Sequence, residues 1–478
     1  MKKQIWIAVS LASCMVGCKK DFLDLSPISN ANVSGFYRNA ADIEVAVTSA
    51  YASLCRDGQY RISMWQIGEV RSDNSWNWEG GGNLPDAEID QFKESSSNNI
   101  INLAWLDAYH GILLCNIVLN RIGPITMSED LKKQFRGEVL FLRSLMYFNL
   151  VRTFGDVPLV LQETSTVQEG YQHGRTPVAD VYNQIIKDLT EAAVILPVSY
   201  DGNNVGRATS GAAKSLLGKV YLTQKNYSSA AIVLKEVIDA GRYRLLQDYA
   251  DLWLPSNANH AESIFEVQFK KGGTGTGSPF TNFFAPRDSE LAVTKVGYAY
   301  GRNLPTADMV SAYEMGDKRK ISSVAETYQR DGLTISDPYT VKYRDVPFAE
   351  LDADNNWTVL RYADILLMYA EVLNEINEGP VAEAYNMMNL VRDRAGLDSL
   401  SNGLNKTDFA MALEHERRVE FAFEGHRWFD LVRTGRAIEV MNAHFNGVIS
   451  IKPFQLLFPV PQSQVNINPD LITQNDGY

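Results

Sequence analysis

Two stretches in the middle of the chain restrict the fold more than anything else in it. SGAAKSLLGKVYLTQ (210–224) and YSSAAIVLKEVIDAG (227–241) both carry apolar and small residues at helical spacing, and only Lys225 and Asn226 separate them. Two helices joined by two residues must fold back on each other. Ala212 and Gly218 on the first, with Tyr221 and Tyr227 near the join, suit a close approach of the two backbones. A second pair repeats the design: RYADILLMYAEVLNE (361–375), then Pro380 and VAEAYNMMNLVRDRAG (381–396).

Such pairs are tetratricopeptide-like helical hairpins, which bury their apolar faces only by stacking. Further helices are predicted over 42–54, 99–122, 129–153 up to the Gly155-Asp156 stop, 177 onward with Pro177 at the first helical position, and 407–424. Two stretches break the pattern. Residues 56–98 scatter Tyr60, Trp65, Trp76 and Trp78 among Gly, Asn, Asp and Ser, which is loop chemistry with aromatic side chains. Residues 242–357 hold one alternating strand, SIFEVQF (263–269), and the Gly-rich KKGGTGTGSPFTNFF (270–284). The fold class is therefore mainly α, with tetratricopeptide-like hairpins, long irregular loops and a few short strands. The glycine run lacks the GK[ST] ending and the βαβ context of a phosphate loop.

ERRVEFAFEGHRWFDLVRTG (416–435) is the densest mixture of aromatics, arginines and carboxylates. Glu416, Glu420 and Glu424 lie four apart, along one edge of a helix that Gly425 ends. Paired carboxylates with His426 nearby fit glycosidase chemistry. Interleaving with Phe, Trp and Arg fits a buried ion-pair lattice better, with Arg417, Arg418, Arg427 and Arg433 as local partners.

The N-terminus joins Lys2 and Lys3 to a short apolar run, Ile5 to Leu11, and ends in Met15-Val16-Gly17-Cys18, the pattern of a lipoprotein signal over 1–17 with Cys18 as the lipidated residue. Its removal takes two lysines and moves the formal charge from −12 to −14. That acidity, without a basic run, excludes nucleic acid as the main partner. No later segment is predicted to span a bilayer. Cys55 and Cys115 remain, read as buried thiols, although an exported chain could join them; two cysteines make no zinc site, and no metal or cofactor is expected.

Six segments in order resemble the SusD/RagB family of outer-membrane nutrient-binding lipoproteins: Cys18 with KKDFLDLSP, FLRSLMYFNLVRTFGDVPL (141–159), RYADILLMYAEVLNE (361–375), VRDRAGL (391–397), EHERRVEFAFEGHRWFDLVRTG (414–435) and FPVPQSQVNINPDLITQNDGY (458–478). The resemblance implies a single SusD-like domain over 18–478, four tetratricopeptide-like hairpins and a loop-built glycan-binding face. It also implies anchoring to the outer membrane through Cys18, facing the cell exterior, and delivery of oligosaccharide to a SusC-like TonB-dependent transporter. On that reading the chain is not an enzyme; a surface glycoside hydrolase or a protein-binding tetratricopeptide scaffold is the alternative. Ligand contacts belong to the variable loops, and 416–435 becomes scaffold.

Sugar rings stack on aromatic faces, and their hydroxyls need polar partners. RSDNSWNW (71–78) offers Trp76 and Trp78 with Arg71, Asp73 and Asn74; the insertion offers Tyr298, Tyr300 and Arg302. Phe280, Phe283 and Phe284 lack a polar handle and are expected in a loop core.

Overall fold

The computed structural model describes residues 37–80 and 84–478. The expected signal over 1–17 and the lipidation site Cys18 lie outside the described residues.

Eight helices make the scaffold: α1 (Ala40–Ser53), α2 (Asn99–Arg121), α3 (Glu129–Phe154), α4 (Val178–Ile195), α5 (Ser210–Thr223), α6 (Tyr227–Asp239), α7 (Tyr362–Ile376) and α8 (Ala382–Ala395). Each packs on its successor, α6 on α7 included, although more than 120 residues separate those two in the chain. Three more follow: α9 (Lys406–Glu420), α10 (Arg427–Thr434) and α11 (Ala437–His444). Local chemistry sets the starts. Asn39, Asn98, Ser128, Thr209, Asn226 and Asn405 cap their helices by accepting backbone N–H bonds. Gly218 acts as its sequence predicts: a Cβ there would lie 2.5 Å from Leu234, so its absence lets α5 and α6 meet. By length and composition α2 could cross a membrane, against expectation, but it buries Ile101, Ala108, Ile112 and Val118 between α1 and α3.

Three departures from the sequence reading matter. First, 56–98 is not a loop throughout: 57–70 forms tight helical turns, Leu84–Asp90 is a helix, and Tyr60 and Trp65 are buried. Second, α9 stops at Glu420 rather than 424; Phe423 and Gly425 take positive φ values of 69° and 81°, so Glu424 sits in a turn. Third, the 242–357 insertion is more ordered than expected. With β1 (Ser75–Trp76) numbered first, it contributes β2 (Ser263–Val267), β3 (Leu304–Pro305), β4 (Val324–Arg330) and β5 (Leu333–Thr340), and β6 (Trp357–Arg361) closes it. β2 pairs antiparallel with β6, and β4 with β5 through Asp331-Gly332, both at positive φ as a tight hairpin turn requires.

The carboxylate row is a buried lattice, but its partners come from elsewhere in the chain. Arg361 reaches Glu424 at 2.8 Å, Glu262 at 3.0 Å and Glu420 at 2.5 Å. Arg319 holds Asp317, Glu416 and Glu420, Arg394 holds Glu262 and Glu420, and Lys342 holds Glu424 at 2.8 Å. The local arginines turn the other way: Arg417 to Asp364 and Asp430, Arg433 to Asp430 and Glu371, Arg427 to Asp73 and Glu414. Arg418 lies two residues from both Glu416 and Glu420 and so points off their edge, while Arg427 and Arg433 belong to the separate helix α10. Burial would raise the Glu420 and Glu424 carboxyls, yet the surrounding cations hold both below the ordinary range. His426 is stacked on Phe421, with Nδ1 3.1 Å from Lys219 Nζ; burial and Lys219 push it down to about 3, so its imidazole is neutral. Cys55 and Cys115 are free thiols, both pushed up to about 12 by burial.

Candidate ligand-binding face

The two segments that the sequence singled out meet. Antiparallel pairing of β1 with β3 sets Trp76 opposite Leu304, and the Trp78 N–H extends it by donating to the Gly301 carbonyl at 2.7 Å. Alternation along 75–79 then sorts the side chains. Ser75 and Asn77 face inward, while Trp76 (39% exposed) and half-buried Trp78 face outward. Asn77 anchors the segment: its Nδ2 donates to Gln66 Oε1 at 2.7 Å, its Oδ1 accepts the Asn303 N–H at 3.0 Å, and its own N–H donates to Asp90 at 2.8 Å.

Trp78 lies in a slot that glycine makes possible. A Cβ on Gly301 would lie 2.8 Å from Trp78 Cβ, and one on Gly80 would lie 2.7 Å from its ring. The Arg287 guanidinium stands 5.3 Å from the indole and donates to the Ala299 carbonyl at 2.9 Å. Tyr300 rests edge-on against Phe283, and its hydroxyl donates to Glu350 Oε1 at 2.5 Å; burial and Glu350 push the phenol up to about 12. Tyr298, 69% exposed, stands clear of the surface. Asn282 fixes that loop from below, donating to the Val296 and Tyr298 carbonyls at 2.8 Å each and accepting the Leu351 N–H at 3.0 Å.

Four expected ligand residues are corrected: Arg71, Asp73 and Asn74 first, then Arg302. Arg71 is fully buried between the Phe92 and Phe458 rings, 4.0 and 4.1 Å from its guanidinium, and pairs with Glu94 at 2.7 Å. Asp73 takes a bidentate grip from Arg427 at 2.8 and 3.0 Å, with Arg418 at 3.0 Å; burial would raise its carboxyl, and these arginines lower it. Asn74 donates to Glu69 and accepts from Arg418, both at 2.9 Å. All three are spent inside the protein because buried polar groups must be paired. Arg302 is mostly buried, 2.6 Å from Asp86 and stacked 4.3 Å from Phe283, so it supports the Tyr300 ring from behind. Phe280, Phe283 and Phe284 fill the loop core as expected.

Sequence reasoning missed Glu350 and Asn282. Glu350 meets a tyrosine 50 residues away, which no local pattern encodes. What remains outward is a set of rings, Trp76, Trp78, Tyr298 and Tyr300, edged by Arg287 and Glu350: flat apolar faces with a cation and a carboxylate beside them.

Comparison with known proteins gives this arrangement a context. Residues 349–478 match the family model described as the SusD family, and residues 21–222 match one described as starch-binding associating with outer membrane. SusD-like protein P25 of Formosa agariphila is 28% identical over 99% of this chain and 98% of its own length. The starch-binding protein SusD of Bacteroides thetaiotaomicron is 22% identical over 100% of this chain and 99% of its own. Among solved structures, a laminarin binding SusD-like protein aligns with a TM-score of 0.79 at 28% identity, over 92% of this chain and all of that one. A SusD superfamily protein from Parabacteroides distasonis aligns at 0.81 and 29% identity, over 92% and 99%. Matches at both ends of the chain and a shared scaffold along its length agree with the six segments found in the sequence: the chain belongs to the SusD family.

Proposed function

We propose that this protein captures oligosaccharide at a cell surface on the Trp76, Trp78, Tyr298 and Tyr300 face. The carrying observation is that β1–β3 pairing turns two indoles outward beside two tyrosines, while Arg287 is tied to the Ala299 carbonyl and Tyr300 to Glu350. Rings turned toward solvent suit sugar stacking, with Arg287 and Glu350 beside them for hydroxyls. The relatives support the reading, since one is described as starch-binding and one as laminarin binding. The starch-binding family description also supports association with the outer membrane. Anchoring through Cys18, an exterior orientation and a SusC-like TonB-dependent partner belong to this proposal by family resemblance.

Glu416, Glu420 and Glu424 are at most 2% exposed and fully committed to arginine and lysine, so the glycosidase alternative gains nothing from them. The test is a glycan array followed by titration calorimetry on the best neutral oligosaccharide. Binding that weakens in Trp76→Ala and Trp78→Ala is expected. Unchanged binding in both would move the site elsewhere, and shortened products after incubation would make the protein an enzyme.

A further inference from the structure

The loop between α4 and α5, the segment after α6 and the turn before β2 enclose a groove of about 290 Å³, walled by Tyr200, Arg207, Arg242, Tyr243, Arg244 and Asn259 among others. Among the described residues no aspartate or glutamate lines it, in a chain with 57 acidic and 45 basic residues. Arg207 is committed, 3.0 Å from Glu138 and 3.4 Å from Glu44. Arg242 and Arg244 are exposed and enter no ion pair among the described residues.

Two unpaired arginines at the surface are ordinary; two flanking a fixed ring in a carboxylate-free groove are not. Tyr243, between them, is half-buried with its hydroxyl 3.1 Å from Thr209 Oγ1, and its ring fills the space a side chain on Gly211 would need. The Arg244 N–H donates to the Ala261 carbonyl at 3.0 Å, which fixes the backbone from which both arginines extend. Thr209 caps α5 and lines the groove, which adds the positive end of that helix's dipole. A second cleft makes the contrast. About 440 Å³ lies between α5, α7, α9 and α10, also rich in cations, but there Arg433 pairs with Glu371, Lys406 with Glu375 and Arg436 with Glu414. Apart from the exposed Lys225 its cations are paired among the described residues, whereas Arg242 and Arg244 of the groove are not.

We propose that the groove binds the anionic units, uronate or sulfate ester, of an acidic oligosaccharide, as a site separate from the Trp76–Trp78 face. Forked guanidinium donors match a carboxylate or sulfate, and the tyrosines offer sugar faces. The choice of a sugar rests on the glycan-binding reading; the preference for an anion rests on the arginines alone.

The experiment is titration calorimetry of the full chain with tetragalacturonate and a sulfated galactan tetrasaccharide, their methyl-esterified and desulfated counterparts, and inorganic sulfate. At least one acidic oligosaccharide should bind about tenfold more tightly than its neutral counterpart and weaken about tenfold in Arg242→Ala/Arg244→Ala and in high salt. Trp78→Ala should keep that binding. Equal binding of acidic and neutral forms, or no binding of either acid, overturns the proposal. An acid-specific loss in Trp78→Ala but not in the arginine variant also overturns it, while leaving the aromatic face standing. Sulfate that binds where neither acidic sugar does reduces the groove to an inorganic anion site and overturns the sugar assignment.

Discussion

The clamp around α9 and the aromatic face use the same residue types in opposite ways. At the clamp, Glu262, Glu416, Glu420 and Arg361 are at most 2% exposed, and each charge meets one or more opposite charges within 3.1 Å. On the face, Trp76 is 39% and Tyr298 69% exposed, and the charges stand beside rings rather than in a lattice. Burial makes the difference. A charge taken from water must be matched fully, whereas a ring meant for a sugar must be held at its edge and left open. The two regions join at Asp73, gripped by Arg427 and Arg418 from the clamp and three residues before Trp76. The clamp is therefore the foundation of the face, and each should fail in its own way.

The largest effect is expected from Arg361→Ala, which strips three carboxylates of a shared partner. Breaking a buried pair by removing one member costs about 3–5 kcal/mol, so urea unfolding should show a loss of that order while the folded fraction keeps its glycan affinity. A loss below about 1 kcal/mol would remove the distinction between clamp and surface. Trp78→Ala is the mirror experiment. Affinity should fall by about 2 kcal/mol, near thirtyfold, with a stability loss much smaller than that of Arg361→Ala. Equal damage to fold and binding would mean the indole is a plug and not a platform.

An intermediate effect is expected at the seam. Asp90, under the Asn77 N–H, is pushed up to about 7 by burial, aided by Glu79 and Asp86 and opposed by that N–H. A carboxyl whose folded value lies above its unfolded value of 3.8 binds more protons in the folded state between the two. Its stabilising contribution is therefore complete below about pH 4 and lost as pH rises through about 7. Thermal melts should show stability sagging across that window, and Asp90→Asn should flatten the sag. An identical pH profile in the variant would assign the slope to another group.

The scaffold was legible because its information is local. Helical spacing, caps and Gly218 placed every scaffold helix within a few residues. The face was legible only in outline. Trp76 and Trp78 stand out in sequence as two indoles in a polar run, but their neighbours Arg71, Asp73 and Asn74 look equally polar there and are buried against partners outside that run, such as Glu94 and Arg427. The same distance hid Glu350 from Tyr300, and hid from Glu420 its real partners Arg361 and Arg394. The Asp331-Gly332 hairpin carried a plain local signal that the sequence reading passed over.

The smallest effect tests the idea of a prearranged platform. Trp78 is held by the Gly80 and Gly301 slot and by Arg287, so its ring is in place before a sugar arrives. Tyr298 has only its backbone carbonyl fixed, by Asn282, and its ring projects into water. Ordering such a side chain on binding costs about 0.5–1.5 kcal/mol, which offsets most of what its stacking gains. Tyr298→Ala should therefore weaken binding only about threefold, under 1 kcal/mol, and leave the melting temperature unchanged. Calorimetry of the two variants against one oligosaccharide compares a fixed ring with a free one directly. Should Tyr298→Ala prove the more damaging, affinity would come from rings that close over the sugar, and the fixed indoles would be its floor rather than its source.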